Sequence, residues 1–108
     1  MTPSPGEIWL ADIPFTDGSA SKIRPVLILW LDAADVVVAA VTSAPPRSST
    51  DVILADWQLE GLRVASTVRL SRLDCLEQIL LRRKLGSLSP DDARKVKEAW
   101  TSRVQLRF

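Results

Sequence analysis

Apolar residues in this chain come in short runs broken by proline, glycine and serine, and only the C-terminal part carries a helical period. Gly6 to Ile13 mixes β-branched, aromatic and acidic residues, stops at Pro14, and reads as a first strand. Thr16 to Ile23, centred on Asp17-Gly18-Ser19, has turn chemistry and no period, which predicts a loop. Pro25 to Leu31 predicts an almost continuous apolar strand, with the proline at its first position, where no ladder donor is needed. After a short turn at Asp32 to Asp35, Val36 to Val41 reads as a strand covered on both faces, closing on Thr42-Ser43.

Ala44 to Thr50, which contains Pro45-Pro46, predicts a second loop, followed by short strands at Asp51 to Ala55 and Ala65 to Leu70 joined by a connection at Trp57 to Gly61. Alternation in the last of these places Thr67, Arg69 and Ser71 on one face and Val68 and Leu70 on the other. Leu73 to Leu81 fits a helical turn or a further strand equally well, because short apolar runs do not separate the two by period. Ser89-Pro90-Asp91-Asp92 predicts a helix start, with Ser89 as N-cap, proline in the first turn, and two acids where the helix dipole favours them. The helix is expected to run to about Ser102 and to bury Ala93, Val96, Trp100 and Val104. Val104 to Phe108 alternates with period two, which predicts an edge strand whose apolar side chains need a cover. Five or six short strands followed by one capped helix predict a mainly β (α+β) fold, a small and strongly curved barrel. At 108 residues, positions 1–108 make a single domain.

Charge adds one constraint. The net charge is +1, from 14 Lys and Arg against 13 Asp and Glu, so any polyanion binding has to come from local clustering. The chain has no histidine, which removes serine-hydrolase, papain-like and zinc sites built on imidazole. Its single cysteine, Cys75, supplies neither a disulfide nor a thiolate metal site, and reads as a small buried apolar residue. No stretch resembles a secretory signal or a membrane span, so a cytoplasmic protein is expected. Trp9, Trp30 and Trp100 are expected in the core or at a dimer contact, with Trp57 the exposed one. Arg82-Arg83-Lys84 reads as a solvated face.

Chemistry concentrates at Ser21-Lys22-Ile23-Arg24-Pro25, where two cations stand at the mouth of an apolar run and invite an anion. Together with Gly6-Glu7-Ile8-Trp9, Thr42-Ser43, Val68-Arg69-Leu70-Ser71 and Arg83-Lys84-Leu85-Gly86-Ser87-Leu88-Ser89, in this order and at these spacings, the segment resembles the MazF/PemK family of toxin endoribonucleases. The resemblance spans roughly Gly6 to Trp100. It implies an SH3-like barrel of the MazF/CcdB type with a C-terminal helix, usually a homodimer. It also implies cutting of single-stranded RNA at short sequences, without a metal or other cofactor, by a toxin blocked by a cognate antitoxin.

By the same resemblance Arg24, Thr42 and Arg69 are the catalytic residues, with Lys22, Ser43 and Ser71 expected to contact RNA. The guanidinium of Arg24 offers a rigid fork for phosphate oxygens, and its charge persists at any working pH. Plasmid-type members carry an acid two residues after the arginine that matches Arg69, and it serves as general base. This chain has Ser71 there; Glu7, Asp12, Asp17 and Asp74 are the carboxylates that could replace it. That missing acid and the apolar, basic tail also admit a non-catalytic toxin like CcdB, which poisons DNA gyrase, or an inactive RNA-binding relative.

Overall fold

Among the described residues, runs of Val, Ile and Leu too short for helices form six antiparallel strands, and the stretch with a helical period forms one α-helix. The computed structural model describes residues 2–14 and 17–108. In chain order the elements are β1 (Glu7–Pro14), β2 (Ser21–Asp32), β3 (Asp35–Thr42), β4 (Asp51–Ile53), β5 (Thr67–Glu77), a 3-10 turn (Gln78–Leu80), β6 (Leu81–Ser87) and α1 (Pro90–Arg103). The strands lie in the order β4-β5-β3-β2-β1-β6. The ladder is therefore open, with β4 and β6 as edges; the mainly β class with a C-terminal helix is as expected, but the barrel does not close.

Four stretches differ from the expected elements or complete them. Thr16, the expected start of the first loop, lies outside the described residues, and β2 already begins at Ser21. Pro25 is thus inside a strand and opposite Leu10 of β1; the β3 pairing starts only at Val26, so at Pro25 β2 has one neighbour and the missing N–H interrupts no second ladder. The ambiguous segment Leu73 to Leu81 continues β5 and then turns into β6, which carries Arg82, Arg83 and Lys84 on the sheet edge. The tail Val104 to Phe108 is not a strand, and Leu106 and Phe108 stand exposed.

Bulges bend this sheet. One extra residue interrupts the β2 pairing with β3, two interruptions occur between β1 and β6, and β5 carries three residues without partners on β3, Leu70, Ser71 and Arg72, between Arg69 and Leu73. Bulges raise local twist and re-aim side chains. The curled sheet buries apolar side chains on both faces. Ile8, Leu27, Ala39, Val41, Val68 and Leu70 meet Val96 and Ala99 of α1 on one side; Trp9, Ala11, Val26, Ile28, Val36, Val38 and Leu76 pack together on the other.

The helix starts as expected. Ser89 Oγ accepts from Asp92 N at 3.1 Å, with Pro90 in the first turn. Its buried stripe is Asp92, Val96 and Ala99, with Trp100 and Val104 partly buried. The expectations for Trp57 and Cys75 are corrected, and of the two places expected for Trp30 the core is ruled out. Trp57 packs against the helix-side core. Trp30 is 43% exposed, because the bulge beside it turns its ring to the edge of Trp100, centroids 5.9 Å apart. Cys75 is exposed.

Candidate functional site

The first half of β2 extends past the end of β3, and two clefts open around that overhang. A cavity of about 300 Å³ is lined by Lys22, Arg24, Thr42, Arg69, Arg72 and Asp74 above an apolar floor. A second, of about 490 Å³, is lined by Ser43, Arg63 and Arg83 among others, and shares Lys22, Arg24, Pro25, Val41 and Thr42 with the first. Arg24 and Thr42 therefore stand on the boundary between the two.

Strand register explains why these side chains converge. Lys22, Arg24 and Val26 alternate along β2; Val26 faces Ala40 of β3, and Ala40 faces Arg69 of β5. Residues two apart on a strand share a face, so the two β2 cations, Thr42 and Arg69 project to one side of the sheet. The three-residue bulge then brings Arg72 to the same cavity. Sequence reasoning missed Arg72, because simple alternation does not survive a bulge. Ser43 lines only the second cavity, and Ser71 lies in the bulge, exposed and outside both.

The first cavity gathers four cations and one carboxylate in a chain whose net charge is +1. Among the described residues no ion pair engages Lys22, Arg24 or Arg72, so their charge is available to an anion. Arg69 is held differently. Its Nε lies 3.6 Å from Oδ1 of Asp51, with side chains 17% and 1% exposed. That is an ionic contact too long for a hydrogen bond, and it leaves the guanidinium tip to donate elsewhere. Asp51 is itself fixed by Arg47 N, which donates to Oδ2 at 2.8 Å. Thr42 Oγ1 accepts from Ala44 N at 3.1 Å, so its own O–H remains a donor for the cavity.

Three of the four candidate carboxylates are engaged elsewhere. Burial would raise the Glu7 pKa, but the Trp9 indole N–H, the Ser4 N–H and the Lys84 ammonium outweigh it and hold the carboxyl below its usual range. Ser21 and then Arg82, 2.8 Å away, lower Asp12. The Ser19 N–H and hydroxyl lower Asp17. None of the three lines either cavity; Asp74 does. Among the described residues no cluster of three His, Cys, Asp or Glu side chains is placed to hold a metal ion.

The outer wall of the second cavity, Gly61 to Ser66, is anchored by two buried carboxyls at the start of α1. Asp92 accepts from Ala55 N at 3.1 Å, Asp56 N at 3.0 Å and Lys95 Nζ at 3.0 Å. Glu60 Oε2 accepts from Ser89 N at 2.7 Å, while its Oε1 has no partner. Burial, with the Asp92 and Asp56 charges adding, pushes Glu60 up to about 7 despite the Ser89 N–H. Burial opposes ionisation of Asp92 too, but the N–H donors and Lys95 prevail and hold it below its usual value.

Between pH 4.5 and 7 the folded state therefore keeps a Glu60 proton that the unfolded chain has lost, so stability falls as pH rises through that window. The expected loss is on the order of 2–3 kcal/mol, a drop in Tm of roughly 10 °C or more between pH 5 and pH 8. Thermal unfolding of wild type and Glu60→Gln across that range checks it. The variant, neutral throughout, should lose most of the slope; an unchanged slope would refute the assignment to Glu60.

An open, mainly β sheet backed by one helix, with a cationic cleft at the overhang of β2, defines a small protein equipped to bind phosphate-bearing ligands. The sequence profile of the PemK-like, MazF-like toxins of type II toxin-antitoxin systems matches residues 4–102, and the chain belongs to that family. Among solved structures it is similar to the Mycobacterium tuberculosis toxin MazF-mt6, at 25% identity and a TM-score of 0.74, over 94% of this chain and 99% of that one. An endoribonuclease solved with its cognate antitoxin from a mycobacterial species matches at 21% identity and a TM-score of 0.76, over 99% of both chains. MazF in a MazE–MazF structure from Deinococcus radiodurans matches at 24% identity and a TM-score of 0.69, over 98% of both chains. The last two likenesses establish the fold. No curated protein sequence matches the chain significantly.

Proposed function

We propose that this chain is the toxin of a type II toxin-antitoxin pair and a metal-independent endoribonuclease. Its substrate is single-stranded RNA, cut at a specific short sequence by attack of the 2′-hydroxyl to leave a 2′,3′-cyclic phosphate. The observation that carries the reading is the convergence of Lys22, Arg24, Thr42, Arg69 and Arg72 on one cleft of a nearly neutral protein. In the crowded phosphorane that 2′-attack creates, Arg24 and Arg69 supply charge-assisted donors where negative charge develops. Thr42 adds a hydroxyl donor, and Lys22 takes a neighbouring phosphate. Ser43, Arg63 and Arg83 line the second cavity, and in this reading they meet the RNA beyond the scissile bond.

The domain acts in the cytoplasm, and among the described residues no helix is long and apolar enough to cross a membrane. Exposed Trp30, Leu106 and Phe108 suit a homodimer contact, and the cationic cleft suits an acidic segment of the antitoxin that folds on binding.

Incubating the protein with a long mixed-sequence RNA in excess EDTA, and mapping the ends, tests the activity. Cuts at one short sequence bearing 2′,3′-cyclic phosphate are expected. No cutting by a folded, toxic protein would overturn the reading in favour of a protein target such as gyrase; no cutting by a non-toxic one would mark an inactive RNA-binding relative.

A further inference from the structure

We infer that Asp74 is the general base of the proposed RNA cleavage, an assignment that rests on the endoribonuclease reading above. Attack by a 2′-hydroxyl needs a group that accepts its proton, and neither an arginine nor an unperturbed hydroxyl does so near neutral pH. Ser71, two residues after Arg69, is a hydroxyl and lies outside both cavities. Asp74 is the one carboxylate that lines either cavity among the described residues, and no ion pair there engages it.

The bulge in β5 is what makes this possible. In an unbroken strand residues 69 and 74 would point to opposite faces, being an odd number apart. With Leu70, Ser71 and Arg72 left without partners on β3, Arg69 faces Ala40 and Asp74 faces Val38. Ala40 and Val38 are two apart on β3, so Arg69 and Asp74 share a face at an axial spacing of roughly 7 Å. That separation lets a phosphate sit on the Arg24 and Arg69 guanidiniums while the adjoining ribose hydroxyl reaches the carboxylate.

In the step itself the Asp74 carboxylate takes the 2′-hydroxyl proton as the 2′-oxygen bonds to phosphorus. The bond from phosphorus to the 5′-oxygen breaks, its electron pair stays on that oxygen, and water supplies the proton that makes a 5′-hydroxyl. Asp74 then returns its proton to solvent.

The test measures kcat and KM for wild type, Asp74→Asn and Asp74→Glu on an RNA containing the mapped site, in EDTA, across pH 4 to 9, with thermal unfolding to verify the fold. Asp74→Asn is expected to lose about 10²–10⁴-fold in kcat with KM little changed, and to lose the acid limb of the pH profile, which a merely structural role would leave in place. Asp74→Glu should recover part of the rate and the limb. A folded Asp74→Asn that cuts within a few-fold of wild type, or keeps the acid limb, overturns the assignment while the endoribonuclease reading stands. Failure of wild type to cut overturns both.

Discussion

Arg24→Ala is expected to cut RNA about 10²–10³-fold more slowly than wild type, with Tm unchanged within a few degrees. The size follows from removing one charge-assisted donor aimed at a developing oxyanion. The specificity for activity follows from the structure: Arg24 is exposed on the overhang of β2 and, among the described residues, makes no ion pair whose loss would weaken the fold. Arg24→Lys should recover only part of the loss, because an ammonium keeps the charge but not the two-pronged geometry. Single-turnover cleavage of the mapped site, beside thermal unfolding, checks both. A folded Arg24→Ala that cuts like wild type would remove Arg24 from the site.

Gly61→Ala should lower stability by about 3–4 kcal/mol, and with it Tm by roughly 15 °C or more. Two causes add. Gly61 has φ +89°, a region in which a β-carbon is strained by about 1–2 kcal/mol. A Cβ there would also overlap the backbone carbonyl of Leu85, while a Cβ at Gly86 would overlap the carbonyl of Glu60. The Glu60 loop and β6 are in backbone contact from both sides. Gly18→Ala separates the causes: its φ is +74° with nothing within 4 Å of an added Cβ, so it should lose only about 1 kcal/mol. Equal losses at Gly61 and Gly18 by chemical denaturation would show that the close approach is not tight. Because Gly61 to Ser66 walls the second cavity, a folded remnant of Gly61→Ala should also bind RNA more weakly.

Local chemistry was legible wherever one segment decides its own state. Ser89 with Pro90 and Asp92 satisfies the first turn of α1 by itself, and the helix starts where the sequence predicts. Lys22 and Arg24 were legible as neighbouring cations, which the structure puts on one cleft, and motif order announced the family. Trp57, expected exposed, is partly buried, and Trp30 stands outside the core, since the packing of a loop beneath one and a bulge beside the other are set by contacts remote in sequence. Glu60 and Asp92, buried at 0% exposure, look like ordinary surface acids until the loop and the helix end are brought together.

Residue types and their order determined the mainly β class, the capped helix, the absence of imidazole chemistry and the arginines that can hold phosphate. Tertiary structure decided that the sheet is open, that Arg72 and Asp74 enter the cleft while Ser71 leaves it, and that two buried carboxyls hold the cavity wall. The reason is physical: charge and local propensity belong to a residue and its chain neighbours, whereas the face on which a side chain emerges depends on strand register. Three extra residues of β5 without partners on β3 change that register, and the pairing on either side of them fixes which face the rest take.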